Sequence, residues 1–298
     1  KLPAGNFLVW SPDKPLRRER YWYLTDSFRN KRQFSSQKEA TEGLNELIDD
    51  AVRLRMISNV PLGAFLSGGI DSAAMVASMI RQHPGEEIKT YTIGFEEQGY
   101  SEAREARATA NFLGTTHNEK VVDAKLGNMF QQMVRTTGEP FADSSMIPFQ
   151  HLSRFAREEI TVAISGDGCD ELFAGYETYI ADRMHHFLHF IPGSVCRAIL
   201  KLSQTIFSVT FDKVSFDYKL FRFLEGLNLS PRDAHCHWRT IFTEEEKGQL
   251  LRPEAKDCKG PDADPVTIFR EFFNQVSDLH YLDQAMYVDI RTWLVDDI

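Results

Sequence analysis

The feature that most constrains this chain is a glycine loop that joins an apolar run to a helix-forming run. The apolar run covers 60–66 and predicts a buried strand, and the run 73–80 predicts a helix. Between them stands the loop Ser67-Gly68-Gly69-Ile70-Asp71-Ser72. A chain that turns through two glycines into a helix points backbone N–H groups out of the helix start. The loop therefore predicts a phosphate site of the kind that binds a nucleotide.

The side chains of this loop support the same prediction. Ser67 and Ser72 supply hydroxyl donors, and Asp71 places a carboxylate where only a metal ion reconciles it with a phosphate. The loop lacks the lysine of the kinase-type phosphate loop and the spacing of the dinucleotide fingerprint. The alternative is a Gly-Gly turn with a serine that caps a helix. We favour the nucleotide site, because the six residues stand between a strand and a helix.

A second acidic glycine loop follows another β-branched run. The run 160–164 predicts a strand, and it leads into Ser165-Gly166-Asp167-Gly168-Cys169-Asp170-Glu171. Magnesium prefers one or two carboxylates together with phosphate oxygens and water. The sequence predicts that Asp71 and Asp170 hold Mg²⁺ at neighbouring strand ends, where open α/β sheets bind ligands. Alternatively the acids cap a helix that begins near Asp170, a role that Glu171 can share.

The first loop resembles the pyrophosphate loop of ATP pyrophosphatases. Taken with the second loop and its continuation Leu172-Phe173-Ala174-Gly175-Tyr176, it resembles the synthetase domain of glutamine-hydrolysing asparagine synthetases. The resemblance covers nearly the whole chain, densely from about 44 to 179. It implies an α/β fold with a Rossmann-like, doubly wound, mostly parallel sheet of the adenine nucleotide alpha hydrolase-like type, followed by a C-terminal helical extension.

The resemblance also implies a reaction. ATP would adenylate a carboxylate, in the family the aspartate side chain, with release of pyrophosphate. Ammonia derived from glutamine would then attack the adenylate and release AMP. By resemblance, Asp71, Asp167 and Asp170 are catalytic, Asp71 and Asp170 bind magnesium, and the ATP-binding residues are Leu66, Ser67, Gly68, Gly69, Asp71, Ser72, Ile93, Ser165 and Gly166.

The acceptor of the ammonia stays open. Asp167 stands where many asparagine synthetases have a glutamate that contacts the intermediate, and the shorter acid puts the substrate in question. One alternative is a related amidotransferase or amide ligase that acts on a sugar, natural-product or peptide carboxylate. An alternative of another class is a nucleotide-binding module that has lost catalysis.

The order of predicted elements favours three regions. Residues 1–36 read as an arm from a preceding glutaminase domain, 37–190 as the ATP-pyrophosphatase core, and 191–298 as a helical extension that is incomplete at its C-terminus. Within the core the predicted strands are 61–66, 88–95, 116–122 and 160–165, and the predicted helices are 38–57, 72–82, 101–112, 124–137, 146–158 and one from about 170. By resemblance the glutaminase domain and the catalytic lysine would lie outside 1–298. The sequence therefore predicts a piece that binds ATP but forms amides poorly.

Composition limits the classes of partner that the chain is expected to bind. The formal net charge of −9 argues against a nucleic-acid surface, and no apolar run is long enough to span a membrane. The four cysteines lack a Cys-x-x-Cys pair and predict reduced thiols in a cytoplasmic protein. The histidines near 185–189 and 235–237 lack the partners of a zinc site and predict no functional metal. The partners are then small molecules and the glutaminase domain, and a homodimer is left open.

Overall fold

The computed structural model describes residues 1–95, 101–122, 129–138, 141, 143, 145–206, 216–252 and 265–296. The strands are β1 Asn6–Ser11, β2 Lys14–Arg20, β3 Leu62–Phe65, β4 Lys89–Phe95, β5 Thr116–Val122 and β6 Val162–Ile164. The helices are α1 Leu24–Arg29, α2 Gln37–Arg55, α3 Ile70–Gln82, α4 Ala103–Leu113, α5 Met129–Thr137, α6 Met146–Ala156, α7 Cys169–Phe173, α8 Glu177–Leu188, α9 Gly193–Ile206, α10 Phe216–Gly226, α11 Pro231–Arg239, α12 Glu244–Leu250, α13 Pro265–Gln275 and α14 Tyr281–Asp296.

The chain divides into two compact units. The α/β unit is Gln33–Cys169, and the helical unit combines Lys1–Arg32 with Asp170–Ile298. The boundaries predicted from the sequence fall instead after residues 36 and 190. The difference arises because the first segment forms the β1–β2 hairpin and α1 and packs within the helical unit, through the buried side chain of Leu24 among others. The prediction that residues 1–36 are an arm from a preceding glutaminase domain stays a prediction.

The α/β unit contains a parallel sheet with the strand order β5-β4-β3-β6. β3 pairs on one side with β4, where Ala64 is opposite Thr90, and on the other with β6, where Ala64 is opposite Ile164. β4 and β5 pair along their full lengths from Lys89 opposite Thr116 onwards. The predicted strands and the predicted parallel arrangement are therefore confirmed.

Both faces of this sheet are covered. Alternate side chains of a strand point to opposite faces, and here Ala64 and Leu66 pack with Val76 and Met79 of α3. On the other side Phe65 joins the cluster of Tyr91, Ala156 and Ile160, which includes residues of α6. These two clusters confirm the predicted doubly wound α/β fold.

Local signals explain where the helices of this unit begin and end. Ser36 caps α2 by accepting a hydrogen bond from the Glu39 amide at 3.2 Å. α4 ends at Gly114, whose φ of 73° is the left-handed conformation that glycine adopts without a steric penalty. The predicted helix 124–137 is seen as Met129–Thr137, and its first residues lie outside the described part of the chain.

The helical unit contains two apolar clusters. The larger joins α1, α11, α13 and α14 through buried side chains that include Leu24, Cys236, Phe273 and Tyr287. The smaller joins α9 and α10 around Cys196, Leu224 and Leu227. Cys169, Cys196 and Cys236 are thiols, as predicted, and Cys258 lies outside the described residues. Among the described helices, none has the length and apolar character required to cross a bilayer.

A charged network is buried beside these clusters. His235 lies between two carboxylates, with Nδ1 2.8 Å from Asp182 Oδ2 and Nε2 3.1 Å from Asp289 Oδ1. Asp289 also accepts a hydrogen bond from Arg239. Burial would lower the pKa of His235, but the charges of Asp289 and Asp182 and their hydrogen bonds raise it to about 10. The network therefore links α8, α11 and α14 through a protonated imidazole.

This network qualifies the expectation about the histidines. The sequence showed no acidic partners for His235, because Asp182 and Asp289 are more than fifty residues away along the chain. The acids are present, yet they hydrogen-bond to the ring from opposite sides. Among the described residues no group of three or more His, Cys, Asp or Glu side chains is arranged to hold a metal ion.

Candidate nucleotide site

The candidate site lies where the chain order of the sheet reverses. From β3 the chain moves outward to β4 and β5 and then returns to the other side of β3 with β6. The strands β3 and β6 are therefore parallel neighbours, and both predicted loops leave from their carboxyl ends. Such a switch point opens a crevice that binds ligands in α/β proteins.

The first loop is held together by its two serines. The hydroxyl of Ser72 accepts a hydrogen bond from the Ser67 amide at 3.1 Å and lies 2.9 Å from the Ser67 hydroxyl. The Ser67 hydroxyl in turn accepts a hydrogen bond from the Gly69 amide at 3.1 Å. Ser72 is buried, whereas 67–70 are exposed. The serines thus fix the turn, which leaves residues 67–70 at the surface.

Leu66 anchors the loop to the sheet. Its amide donates to the carbonyl of Tyr91 at 3.0 Å, and its carbonyl accepts a hydrogen bond from the Thr92 hydroxyl. Leu66 is buried, and Ile93, the next residue of β4 after Thr92, is partly exposed. The structure therefore brings Leu66 and the strand that carries Ile93 together, and their predicted contact with adenine stays a prediction.

The second loop packs directly on the first. A Cβ built on Gly166 would lie 2.8 Å from the Ser72 amide nitrogen and 3.0 Å from both the carbonyl carbon and the Cβ of Asp71. Real side chains do not approach so closely, so only glycine fits at this point. Gly166, Asp71 and Ser72 were assigned to one site from the sequence, and the structure brings them into contact.

The rest of the second loop presents an acid at the surface. The Ser165 hydroxyl donates to Asp167 Oδ2 at 2.7 Å, and Asp167 is exposed. The loop turns through Gly168, whose φ is 88°, and the Cys169 amide then donates to the Gly166 carbonyl at 3.3 Å. The hydrogen bond from Ser165 limits the directions in which the Asp167 carboxylate can point.

Two glutamates that the sequence analysis did not assign also lie against the first loop. Glu102 Oε2 accepts a hydrogen bond from the Gly68 amide at 3.3 Å. A Cβ on Gly68 would lie 2.9 Å from the Cβ of Glu105, so the loop and the start of α4 are in contact. The spacing of residues 101–106 predicts a helix but does not show that its first turn faces a loop more than thirty residues earlier.

Asp170 is the residue at which the chain enters the second segment of the helical unit, 170–298. Its carboxylate packs against Gly175, because a Cβ at Gly175 would overlap Asp170 Oδ1 and lie 3.0 Å from Cγ. The neighbouring Glu171 is fully buried and accepts a hydrogen bond from the Tyr176 hydroxyl at 2.6 Å. Burial and this hydrogen bond raise the pKa of Tyr176. The pairing of Asp170 with Asp71 stays a prediction.

The donor chemistry fits the predicted magnesium ion. Asp71 and Asp170 offer hard carboxylate oxygens, and glycine at 175 leaves room for the Asp170 carboxylate where a Cβ would displace it. Magnesium is commonly held by one or two carboxylates while phosphates and water complete its shell. The chemistry of each carboxylate fits magnesium, and a joint site formed by Asp71 and Asp170 stays a prediction.

An open parallel sheet with an amide-lined loop at its switch point is typical of α/β proteins that bind phosphate groups. The sequence matches the family model of asparagine synthase over residues 43–298. The chain belongs to the asparagine synthase family. This membership supports a ligase.

Similarity to individual proteins agrees with this assignment. The chain is 31% identical over 265 residues to asparagine synthetase [glutamine-hydrolyzing] 1 of Bacillus subtilis, a match that covers 89% of this chain and 40% of that protein. It is 32% identical over 208 residues to amidase chry2 of Gibberella zeae, covering 65% and 31%. The chain therefore spans less than half the length of these relatives.

Among solved structures, an NH3-dependent NAD synthetase from Campylobacter jejuni aligns with a TM-score of 0.30 and 17% identity. The alignment covers 47% of this chain and 61% of that one.

Proposed function

We propose that this chain is the ATP-dependent synthetase part of an amide-forming enzyme. Its site would adenylate a carboxylate, that of aspartate, with release of pyrophosphate, and ammonia from glutamine would then displace AMP. The observation that carries the proposal is the contact of Gly166 with Asp71 and Ser72, which joins two acidic glycine loops at the switch point of the sheet.

The first loop is suited to the phosphates of ATP. The serine hydrogen bonds hold its turn in one shape, and the backbone amides at the start of α3 are the donors that would meet an anion. Glycine at 68 and 69 lets a phosphate approach the backbone closely. Leu66 and Ile93 would border the adenine, and Ser165 and Gly166 would border the ribose or the α-phosphate.

Asp71 and Asp170 would hold the magnesium ion. Bound there, Mg²⁺ supplies positive charge that offsets the charge developing on the leaving pyrophosphate. The protein's own contribution is to place the carboxylate of the substrate in line with the α-phosphorus and to exclude alternative geometries.

Asp167 would act in the second half of the reaction. Attack by ammonia on the activated carbonyl produces an ammonium group that must lose a proton. Asp167 is exposed at the loop and its carboxylate is held by the Ser165 hydroxyl at 2.7 Å. An oriented carboxylate within reach of the nitrogen can take that proton.

The decisive measurement is ATP–pyrophosphate exchange on the full-length protein with individual carboxylates. We expect exchange with aspartate, and its loss in Asp71→Asn, because the amide cannot replace the charge of the carboxylate at the metal. Asp13→Asn, in the exposed turn between β1 and β2, is the matched control and should retain exchange. Unchanged exchange in Asp71→Asn would exclude the metal role of Asp71.

A second candidate is an amide ligase for a different carboxylate. The observation that favours it is the short acid Asp167, whose carboxylate reaches less far than that of a glutamate. Exchange with another carboxylate but not aspartate would support this candidate. Binding of ATP without exchange for any carboxylate would instead indicate the nucleotide-binding module without catalysis, and both proposals would be wrong.

A further inference from the structure

The short helix α7 ends in an unusual turn. Ala174 has a φ of 55°, the left-handed conformation, and it is the one residue other than glycine with a positive φ among those described. The Gly175 amide then donates to the Asp170 carbonyl at 2.9 Å. A left-handed residue followed by a hydrogen bond back to the start of the last turn is the Schellman end of a helix. Glycine usually occupies the left-handed position of such a helix end. Here alanine occupies it, and the glycine stands one residue later.

The glycine at 175 is required by the Asp170 side chain. A Cβ at this position would overlap Asp170 Oδ1 and would lie 3.0 Å from Cγ and 3.2 Å from Cα of the same residue. The Asp170 carboxylate therefore packs against the bare Cα of Gly175. Any side chain at 175 forces the carboxylate into another direction.

Glu171 and Tyr176, which are the neighbours of Asp170 and Gly175, are held in place by contacts within the helical unit. Glu171 is fully buried and accepts the hydrogen bond of the Tyr176 hydroxyl at 2.6 Å. The Tyr176 ring faces the Arg239 guanidinium, whose carbon is 4.3 Å from the ring centroid. Arg239 also donates to the buried Asp289. Both ends of the turn are thus tied to the charged network of the helical unit.

We infer that this turn, 170–176, sets the direction of the Asp170 carboxylate for metal binding. Gly175, Glu171 and Tyr176 are the positioning residues for the Asp170 carboxylate. In this proposal none of the three contacts the metal. The inference rests on the proposed function, in which Asp170 is a magnesium ligand. An ordinary helix end would need neither a glycine against the carboxylate nor a buried acid bonded across the turn.

The test uses the full-length protein and Mn²⁺ as the probe. Binding of Mn²⁺ in the presence of ATP is followed by electron paramagnetic resonance in Gly175→Ala and in Tyr176→Phe. Gly248→Ala is the matched control, because it adds the same methyl group in the helical unit where nothing lies within 4 Å. Thermal midpoints and ATP affinity without divalent metal are recorded for each variant.

We expect Gly175→Ala to weaken Mn²⁺ binding by about 10- to 100-fold, the usual effect of disturbing a group that orients a metal ligand. Saturating Mg²⁺ should restore much of the exchange rate, while metal-free ATP affinity stays unchanged. Tyr176→Phe should weaken Mn²⁺ binding in the same direction, and it decides the question if Gly175→Ala does not fold. Gly248→Ala should match the unaltered protein.

Asp170→Asn separates the two proposals. If Asp170→Asn leaves Mn²⁺ binding unchanged, Asp170 is not a ligand and the metal assignment in the proposed function is wrong. If Asp170→Asn weakens Mn²⁺ binding while folded Gly175→Ala, or Tyr176→Phe in its place, binds Mn²⁺ like the control, the proposed function stands and this inference is overturned.

Discussion

The Ser72 amide nitrogen lies so near Gly166 that a Cβ on Gly166 would approach it to 2.8 Å. Ser72 belongs to the first turn of α3, and Gly166 follows β6. This contact holds the two loops of the candidate site together within the α/β unit.

Replacing Gly166 with alanine should therefore disturb both stability and nucleotide binding. The added methyl group must push α3 and the loop apart, and such overpacking destabilises by about 1–3 kcal/mol. Urea unfolding and ATP titration of Gly166→Ala measure the two effects, with Gly248→Ala as a control in open space. An ATP affinity and an unfolding midpoint equal to those of the control would contradict the contact.

Removing the Ser72 hydroxyl should loosen the first loop. In Ser72→Ala the Ser67 amide loses its acceptor, and the loss of such a hydrogen bond is destabilising by about 0.5–1.5 kcal/mol. ATP affinity should fall as well, because the turn is no longer held in its binding shape. Ser58→Ala is the comparison, since that exposed hydroxyl bonds only to the nearby Val60 backbone among the described residues, and its removal should change little. Equal effects of the two variants would show that the serine network does not shape the loop.

Neutralising Glu102 should strengthen ATP binding. The Glu102 carboxylate accepts a hydrogen bond from the Gly68 amide, and in the proposed function it would compete there with a phosphate and repel it. One like charge removed at roughly 5 Å in water corresponds to about 0.8 kcal/mol, or about four-fold in affinity, in Glu102→Gln. The gain should shrink as salt is added. Titration calorimetry at two salt concentrations measures it against Glu46→Gln, an exposed residue of α2 with the same change of charge. Weaker ATP binding than in Glu46→Gln would show that Glu102 assists the nucleotide.

The stabilising effect of the His235 network should be lost in alkaline solution, so we expect the helical unit to become less stable there. Because the pKa of His235 is raised to about 10 from an ordinary value near 6.5, its contribution is complete below about pH 6.5 and is lost as the pH rises through about 10. The groups that face the ring are Asp182, Asp289 and Tyr179, and Arg239 lies behind Asp289.

The measurement is urea unfolding at pH 6, 8 and 10 for the unaltered chain and for His235→Gln. Breaking a buried charge pair is destabilising by about 3–5 kcal/mol, so the difference between the two proteins should be largest at pH 6. The difference in the free energy of unfolding between the two proteins should become smaller as the pH approaches 10. A difference that stays constant over this range would mean that the imidazole is not protonated in the folded protein.

The strands and helices of the α/β unit were predictable because their signals are local. The apolar run before Ser67 and the β-branched run before Ser165 each predict a strand, and the structure has β3 and β6 there. The first segment was predicted less well. Residues 1–36 were predicted to be an arm, yet Asn6–Ser11 and Lys14–Arg20 form a hairpin. The apolar run 7–10 and the turn residues that follow it were a local signal for this hairpin that the prediction missed.

The candidate site was predictable in part. The Ser-Gly-Gly loop and the Ser-Gly-Asp loop could be assigned to one site, because parallel strands bring their carboxyl ends to one edge of a sheet. The closeness of Gly166 to Ser72 follows only from the adjacent pairing of β3 with β6. Glu102 was missed for the same reason, since its contact depends on the packing of α4.

The amino-acid order alone determined the type of the elements in the α/β unit, the glycine positions and the chemical groups available for phosphate and metal, because backbone preferences and side-chain chemistry act over a few neighbouring residues. Only the tertiary structure decided that Gly166 touches Ser72 and that His235 is enclosed by Asp182 and Asp289. These contacts join residues more than fifty positions apart, and whether such residues meet depends on strand order and helix packing across the chain.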